Sequence, residues 1–281
     1  MTERALSARG EVPSSAIDST RPSVARMYDA ILGGKDNFAV DRAEVEKLYA
    51  ISPQAPVMAR ANRAWLGRVV RFLAGNAGID QFLDLGSGMP AADNTHEIAR
   101  RANFDVQVVY VDKDPVVAAY GRALLEDDVV SRFLAADFTD PDSVLHDPLV
   151  TAHLDFSRPV ALIFCLALHH VSDEQKPYEI MDRYVDALPS GSYVAVTHLH
   201  DPSEANEEAS ALAKRVHALF AGGATGSGYA RTREQIEPFF AGLELGPPGL
   251  VPIVDWWPDG PAAESAGPLN ELLLGGVGRK P

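Results

Sequence analysis

The chain has 281 residues, 46% hydrophobic and 8% aromatic, which suffices for one large core with an appendage and excludes wholesale disorder. Its formal net charge of −14 disfavours nucleic-acid backbones and anionic membranes as partners. The lone Cys165 cannot close an internal disulfide, no apolar run approaches the ~20 residues that span a bilayer, and the polar start lacks a secretory core, so a cytoplasmic protein is expected.

Residues 1–20 mix Ser, Arg and Glu without periodicity and read as a mobile tail. Residues 21–78 read as a helical cap. Val24, Met27, Tyr28, Ile31 and Leu32 share one helix face that Gly33-Gly34 ends, and Asp41 with Glu44 three residues on predicts the start of a second helix. Val57, Ala61, Trp65, Val69 and Phe72 then step along a third.

From Gln81 the pattern alternates. Strands are predicted at Gln81–Leu85, Val106–Val111, Phe133–Ala136, Val160–Cys165 and Tyr193–Thr197, with helices between them, one capped by Asn94 and Glu97 and one running from Pro115 to Leu125. A helix over Glu204–Phe220 leads into no strand and reads as an inserted cap element around residues 203–222. Thr232 and Gln235 open a further helix that Pro238 should distort. Val251–Trp257 and Leu272–Val277, separated by a Pro/Gly-rich loop, are expected to add an antiparallel pair at one edge. The expectation is an α/β fold over residues 79–281: a doubly wound, Rossmann-like, seven-stranded and mostly parallel sheet.

The stretch Phe82-Leu83-Asp84-Leu85-Gly86-Ser87-Gly88 ends a buried strand on an acid and a glycine turn, where backbone can lie against a ligand. The next strand ends on Asp112, about 20 residues on, the usual place for an acid that takes ribose hydroxyls. The third ends on Asp137-Phe138, an acceptor and a ring suited to a purine. A pyrophosphate would need a helix N-terminus directly after the glycines, yet Met89 to Asp93 separate Gly88 from the cap Asn94. Acids at three strand ends suit an adenosine with a cationic tail better. S-adenosylmethionine is therefore favoured over a nicotinamide dinucleotide.

These segments resemble the successive motifs of class I S-adenosylmethionine-dependent methyltransferases. Tyr28-Asp-Ala-Ile-Leu-Gly-Gly-Lys35-Asp-Asn37-Phe, Ala61-Asn62-Arg63-Ala-Trp65-Leu-Gly, Asp155-Phe-Ser-Arg-Pro159-Val and the closing Gly-Gly-Val-Gly-Arg-Lys together resemble a bacterial S-adenosyl methyltransferase family, departing from its pattern at Pro90-Ala91-Ala92-Asp93. The resemblance covers nearly all of the chain after residue 20 and implies the fold and the cofactor. It places Asp84, Gly86, Ser87, Gly88 and Asn94 of the first segment, Asp112 and Lys113 of the second, and Asp137, Phe138 and Cys165 at the cofactor, with Lys35 and Asn37 in a lid over it.

His169 and His170 follow the fourth predicted strand, and His198 and His200 follow the fifth. His169, His170 and His198 are the candidate general bases for an O–H or N–H acceptor. Metal ligation by His198-x-His200-Asp201 is not expected, because alternate strand residues point to opposite faces. Trp256 and Trp257 read as core or as pocket wall. The activity expected is methyl transfer to a small molecule. A non-catalytic S-adenosylmethionine sensor and an NAD(P)-dependent oxidoreductase are the alternatives.

Overall fold

A computed structural model describes residues 17–127, 129–257 and 267–281. Most of the expected tail and of the loop after Trp257 lies outside the described residues.

Three helices come first: α1 (Val24–Ile31), α2 (Ala39–Ile51) and α3 (Ala55–Gly75). Gly33 ends the first by adopting a φ of +83°, which a side chain would resist. Asp41 does not open α2 as expected. It sits inside the first turn, where Oδ2 accepts the Phe38 N–H at 2.8 Å and its other contacts reach back to α1.

Then follow β1 (Gln81–Leu85), α4 (Thr95–Arg100), β2 (Gln107–Asp112), α5 (Pro115–Leu124), β3 (Ser131–Ala135), α6 (Pro141–Leu145), α7 (Pro148–His153) and β4 (Ala161–Cys165). The chain continues through α8 (Pro177–Ala187), β5 (Tyr193–Leu199), α9 (Glu207–Ala221), α10 (Arg233–Ile236), β6 (Glu244–Leu245), β7 (Val251–Pro252) and β8 (Leu273–Arg279). The strand order is β3-β2-β1-β4-β5-β8-β6, with β7 also on β8. β1 to β5 are parallel and β8 runs antiparallel to β5. The order reverses between β1 and β4, the position at which open α/β sheets bind their ligands.

The sheet has eight strands where seven were expected, and the difference lies at the outer edge of β8. Glu244 and Leu245 pair with Arg279 and Gly278, while Val251 and Pro252 pair with Gly275 and Leu274. The strand predicted at Val251–Trp257 stops after two residues: Ile253 still donates to the Leu273 carbonyl at 3.1 Å, but the Pro252 carbonyl takes the Asp255 N–H at 2.8 Å and turns the chain away. Neither residue of β6 is buried, so no apolar alternation announced it.

Strand alternation sorts the core into two layers. Phe82, Val108, Tyr110, Ile163 and Ala195 pack with α3, α4 and α5. Leu83, Val109, Leu162, Phe164 and Val194 face α6, α7 and α8. Trp65 of α3 lies edge-on to Trp256 at 6.0 Å, and a Cβ at Gly275 would come within 2.8 Å of the Trp65 indole. Trp256 is therefore core, whereas Trp257 is 42% exposed, and neither lines the cavity described next. No described helix is long and apolar enough to cross a membrane.

Candidate functional site

A cavity of about 660 Å³ opens at the carboxyl ends of β1, β2, β4 and β5, within the usual size range of a small-molecule site. The glycine turn forms its floor. Gly86 and Gly88 have φ of +72° and +68°. A Cβ at Gly86 would lie 2.8 Å from Ala167 Cβ and 3.4 Å from the Phe138 ring, so only glycine lets that ring close on the turn. At Gly88 a Cβ would meet nothing within 4 Å and would project into open space. Ser87 lines the cavity, and its buried Oγ has no partner among the described residues.

Asp84 and Asp112 both line this floor. Asp84 is 4% exposed and accepts from Thr95 Oγ1 at 2.7 Å, while burial pushes its carboxyl up to about 6. Asp112 accepts the Gly88 N–H and the Asp114 N–H, each at 2.9 Å, and burial also raises it. The same carboxylate thus shapes the glycine turn and faces the cavity. Lys113 lines the rim and its Nζ lies 2.9 Å from Asp137 Oδ2. Asp137 itself stays outside the cavity, its Oδ1 taken by the Thr139 N–H and hydroxyl. Asn94 also stays outside, occupied with Glu97 and Ala91 at the start of α4.

The N-terminal helices close the opposite wall. Tyr28 Oη donates to the Ala59 carbonyl at 3.1 Å and accepts from Asn62 Nδ2 at 3.0 Å. The same amide reaches Cys165 Sγ at 3.2 Å, and Asn62 Oδ1 accepts from Thr197 Oγ1 at 2.9 Å. Thr197 Oγ1 in turn accepts the Leu166 N–H, which satisfies a residue held at a φ of +53° on the cavity edge. Burial pushes the Cys165 thiol up to about 11, outweighing the donors from Asn62 and Thr197, which act in the opposite direction, and keeps it neutral. Arg63, the residue after Asn62 on α3, lines the cavity and donates to the Asp93 carbonyl at 2.9 Å. Asn62 and Arg63 were quoted in the sequence only as a family motif; their chemistry was not legible because their partners lie on other elements.

Lys35 and Asn37 are not among the cavity residues. Asn37 is held by Asp29 at 2.7 Å and by Arg42 at 2.9 Å, and Lys35 is exposed. The first helices are anchored to the site differently: Ser23 Oγ donates to Asp114 Oδ2, and Arg26 Nη1 lies 3.9 Å from the same oxygen.

The histidines divide. His169 and His170, on the single turn Leu168–His170, line the cavity with ring centroids 3.9 Å apart. Burial first, then the adjacent imidazoles and the Arg231 guanidinium, hold His169 well below the usual imidazole range, and burial with Lys113 lowers His170 to about 4, so both are neutral near pH 7. His170 Nδ1 is 3.0 Å from Ser227 Oγ, whereas the buried His169 Nδ1 has no partner among the described residues. His198 was expected to follow β5 but lies within it, because pairing with β8 carries the ladder on to Leu199↔Leu273. Thr197 and Leu199 face the cavity side, so alternation turns His198 away, onto the Phe239 ring.

His198 acts on the site through Arg231. Arginine only donates, so the 3.0 Å contact from Arg231 Nη1 makes His198 Nε2 the acceptor and leaves its proton on Nδ1, 2.7 Å from the Leu199 carbonyl. Arg231 Nη2 also donates to the Val171 carbonyl at 2.8 Å and to Asp173 at 2.7 Å, and the Tyr229 N–H caps the His169 carbonyl at 2.7 Å. Arg231→Ala removes the donor to the Val171 carbonyl and to His198 Nε2. It is expected to cost about 1 to 3 kcal/mol of stability, read as a lowered melting temperature. An unchanged melting temperature would show that the histidine turn is held by other contacts.

A doubly wound sheet that gathers a glycine turn, buried acids and an aromatic ring at its switch point defines a class I S-adenosylmethionine-dependent methyltransferase. The chain belongs to the S-adenosyl methyltransferase family, whose model matches residues 10–281. It is similar to a Thermobifida fusca YX protein, described with its crystal structure as a candidate methyltransferase, at 41% identity and a TM-score of 0.87, over 95% of this chain and 98% of that one. A DUF574 family protein from Streptomyces avermitilis MA-4680 shares 38% identity at a TM-score of 0.87, over 94% and 99% of the two chains. No curated protein matches.

The residues present fit the cofactor. The unpartnered Ser87 hydroxyl and the open space at Gly88 leave room for a polar ligand against the turn. The buried acids suit a cation and ribose hydroxyls. α4 begins only at Thr95 and the Gly88 N–H is already committed to Asp112, which removes the donors a pyrophosphate would need.

Proposed function

We propose that the protein methylates the oxygen or nitrogen of a small-molecule acceptor in the cytoplasm. The observation that carries this reading is the continuity of one cavity from the acids at the strand ends to an apolar half walled by α1, α2, α3 and α9. S-adenosylmethionine supplies a methyl group already activated by its sulfonium. Asp112 holds the ribose hydroxyls, Phe138 packs on the purine, and Asp84 with Arg63 serves the charged ends of the amino-acid tail. Asp137, Lys113 and Asn94 frame the entrance. The helices of residues 21–78 act as a cap, joined by α9 from the other side. Together they exclude water and hold the acceptor in line. His169, neutral and with Nδ1 unpartnered among the described residues, takes the acceptor's proton, while Ser227 and Arg231 fix the turn that presents it.

Isothermal titration of the full chain with S-adenosylmethionine tests the placement of Asp84. A bound cation beside this carboxyl favours its ionised form, so the bound pKa falls below the value of about 6 in the free protein. Affinity is therefore full above that pH and declines as pH drops below it, by up to about tenfold per pH unit. An affinity flat between about pH 5 and pH 7.5 would remove Asp84 from the site.

A further inference from the structure

The acceptor half of the cavity carries a chemical signature of its own. Met27, Leu48, Met58, Leu66, Val216 and Phe220 line it, and the charged side chains lining the cavity, Arg63, Asp84, Asp112, Lys113 and Asp114, all belong to the cofactor half. Ser52 interrupts the apolar lining. It closes α2, its backbone N–H donates to the Leu48 carbonyl at 2.7 Å, and its carbonyl accepts the Ala55 N–H at 3.1 Å. The backbone is satisfied, but Oγ is not: the residue is 2% exposed, lines the cavity, and its hydroxyl has no partner among the described residues. A hydroxyl left unpaired in such surroundings is destabilising, so a ligand that pairs with it regains that cost. Outside the glycine turn, a second cavity-lining residue carries an unpartnered buried atom among the described residues: His169, at Nδ1, on the sheet side.

We propose that the acceptor is an uncharged, mostly apolar molecule with two hydrogen-bonding groups: a phenol-like or enol-like hydroxyl that is methylated beside His169, and a second oxygen that Ser52 holds. The proposal rests on the methyltransferase reading above and names its substrate class. A carboxylate or ammonium would enter an apolar half without a counter-charge and lose its hydration uncompensated. A basic amine would in addition have to shed its proton before attack. An acidic hydroxyl needs only a weak neutral base, and His169 is one. In the step itself the acceptor oxygen bonds to the methyl carbon as the carbon–sulfur bond breaks. The bonding pair stays on sulfur, which becomes a neutral thioether, and the hydroxyl proton passes to His169 Nδ1 and then to solvent.

The test uses the full chain saturated with S-adenosylhomocysteine and four probes of one shape: a naphthol, a dihydroxynaphthalene, a hydroxynaphthoate and a naphthylmethylammonium. Calorimetry should find the dihydroxynaphthalene bound about fivefold or more tighter than the naphthol, the difference one neutral hydrogen bond supplies. Both charged probes should bind at least about tenfold more weakly than the dihydroxynaphthalene. Ser52→Ala should erase the preference for the second hydroxyl while leaving affinity for S-adenosylhomocysteine within twofold, and Ser52→Thr, which keeps a hydroxyl, should retain part of it. A protein that binds S-adenosylhomocysteine yet prefers a charged probe, keeps the preference without Ser52, or binds none of the four overturns the substrate class alone. Failure to bind S-adenosylhomocysteine at all would strike the underlying cofactor reading instead.

Discussion

Replacing Asp112 with alanine is expected to weaken S-adenosylmethionine binding by roughly 1 to 3 kcal/mol, a loss of between about five- and more than a hundredfold. Part of this is direct, because a carboxylate lining the cavity offers charge-assisted acceptors to ribose hydroxyls. Part is structural, since Asp112 also fixes the Gly88 and Asp114 N–H groups at 2.9 Å each. Asparagine separates the two. Its amide keeps the size and one acceptor but no charge, so Asp112→Asn should recover some of the turn and little of the affinity. Titration calorimetry measures the affinity and thermal melting checks the fold. A folded Asp112→Ala protein with unchanged affinity would mean that the cofactor does not touch the end of β2.

The parts of this site that were legible in the sequence are those written by local rules. A strand that ends on an acid and two glycines must turn with positive φ, and Gly86 and Gly88 do so. Asn94 with Glu97 opens α4 where the spacing placed it, and Pro115 follows an Asp114 whose side chain accepts the Val116 and Val117 N–H groups. What escaped depends on partners distant along the chain. Thr197, Asn62 and Tyr28 form one network across separations of 135 and 34 residues, and nothing in the spacing of any one segment encodes it. His198 was misplaced for the same reason: whether β5 ends before or after it is decided by β8, whose Leu273 and Leu274 prolong the pairing. Register set by a distant strand moved a histidine from the candidate site to the opposite face. The two-residue strands β6 and β7 lack the length that periodicity needs in order to be seen.

Asp41→Ala should be the most destabilising of these substitutions, by about 3 to 5 kcal/mol, the range for breaking a buried ion pair from one side. The Asp41 side chain is fully buried and takes three donors: Arg26 Nε at 2.8 Å, the Ser23 N–H at 2.9 Å and the Phe38 N–H at 2.8 Å. Removing it leaves Arg26, itself 3% exposed, with the Arg21 carbonyl at 2.6 Å and the more distant Asp114 carboxylate at 3.9 Å, and strands two backbone donors. At about 2 to 4 °C per kcal/mol the melting temperature should fall by roughly 6 to 20 °C. The loss should also be local before it is global, because this pair joins α1 to α2, while Ser23 and Arg26 extend the contact to Asp114 beside the cofactor floor. Hydrogen exchange should therefore lose protection first across residues 18–51 and last in β1, β4 and β5. Replacing the pair together, as Arg26→Met with Asp41→Leu, should return much of the stability, since a packed apolar pair avoids the buried charge. Uniform exchange in Asp41→Ala, or a melting temperature within about 2 °C of the parent, would show that the first helices are held to the sheet without this pair. If they are released as expected, affinity for S-adenosylhomocysteine should fall alongside, because the loop that carries Asp112 and Asp114 loses its tie to α1.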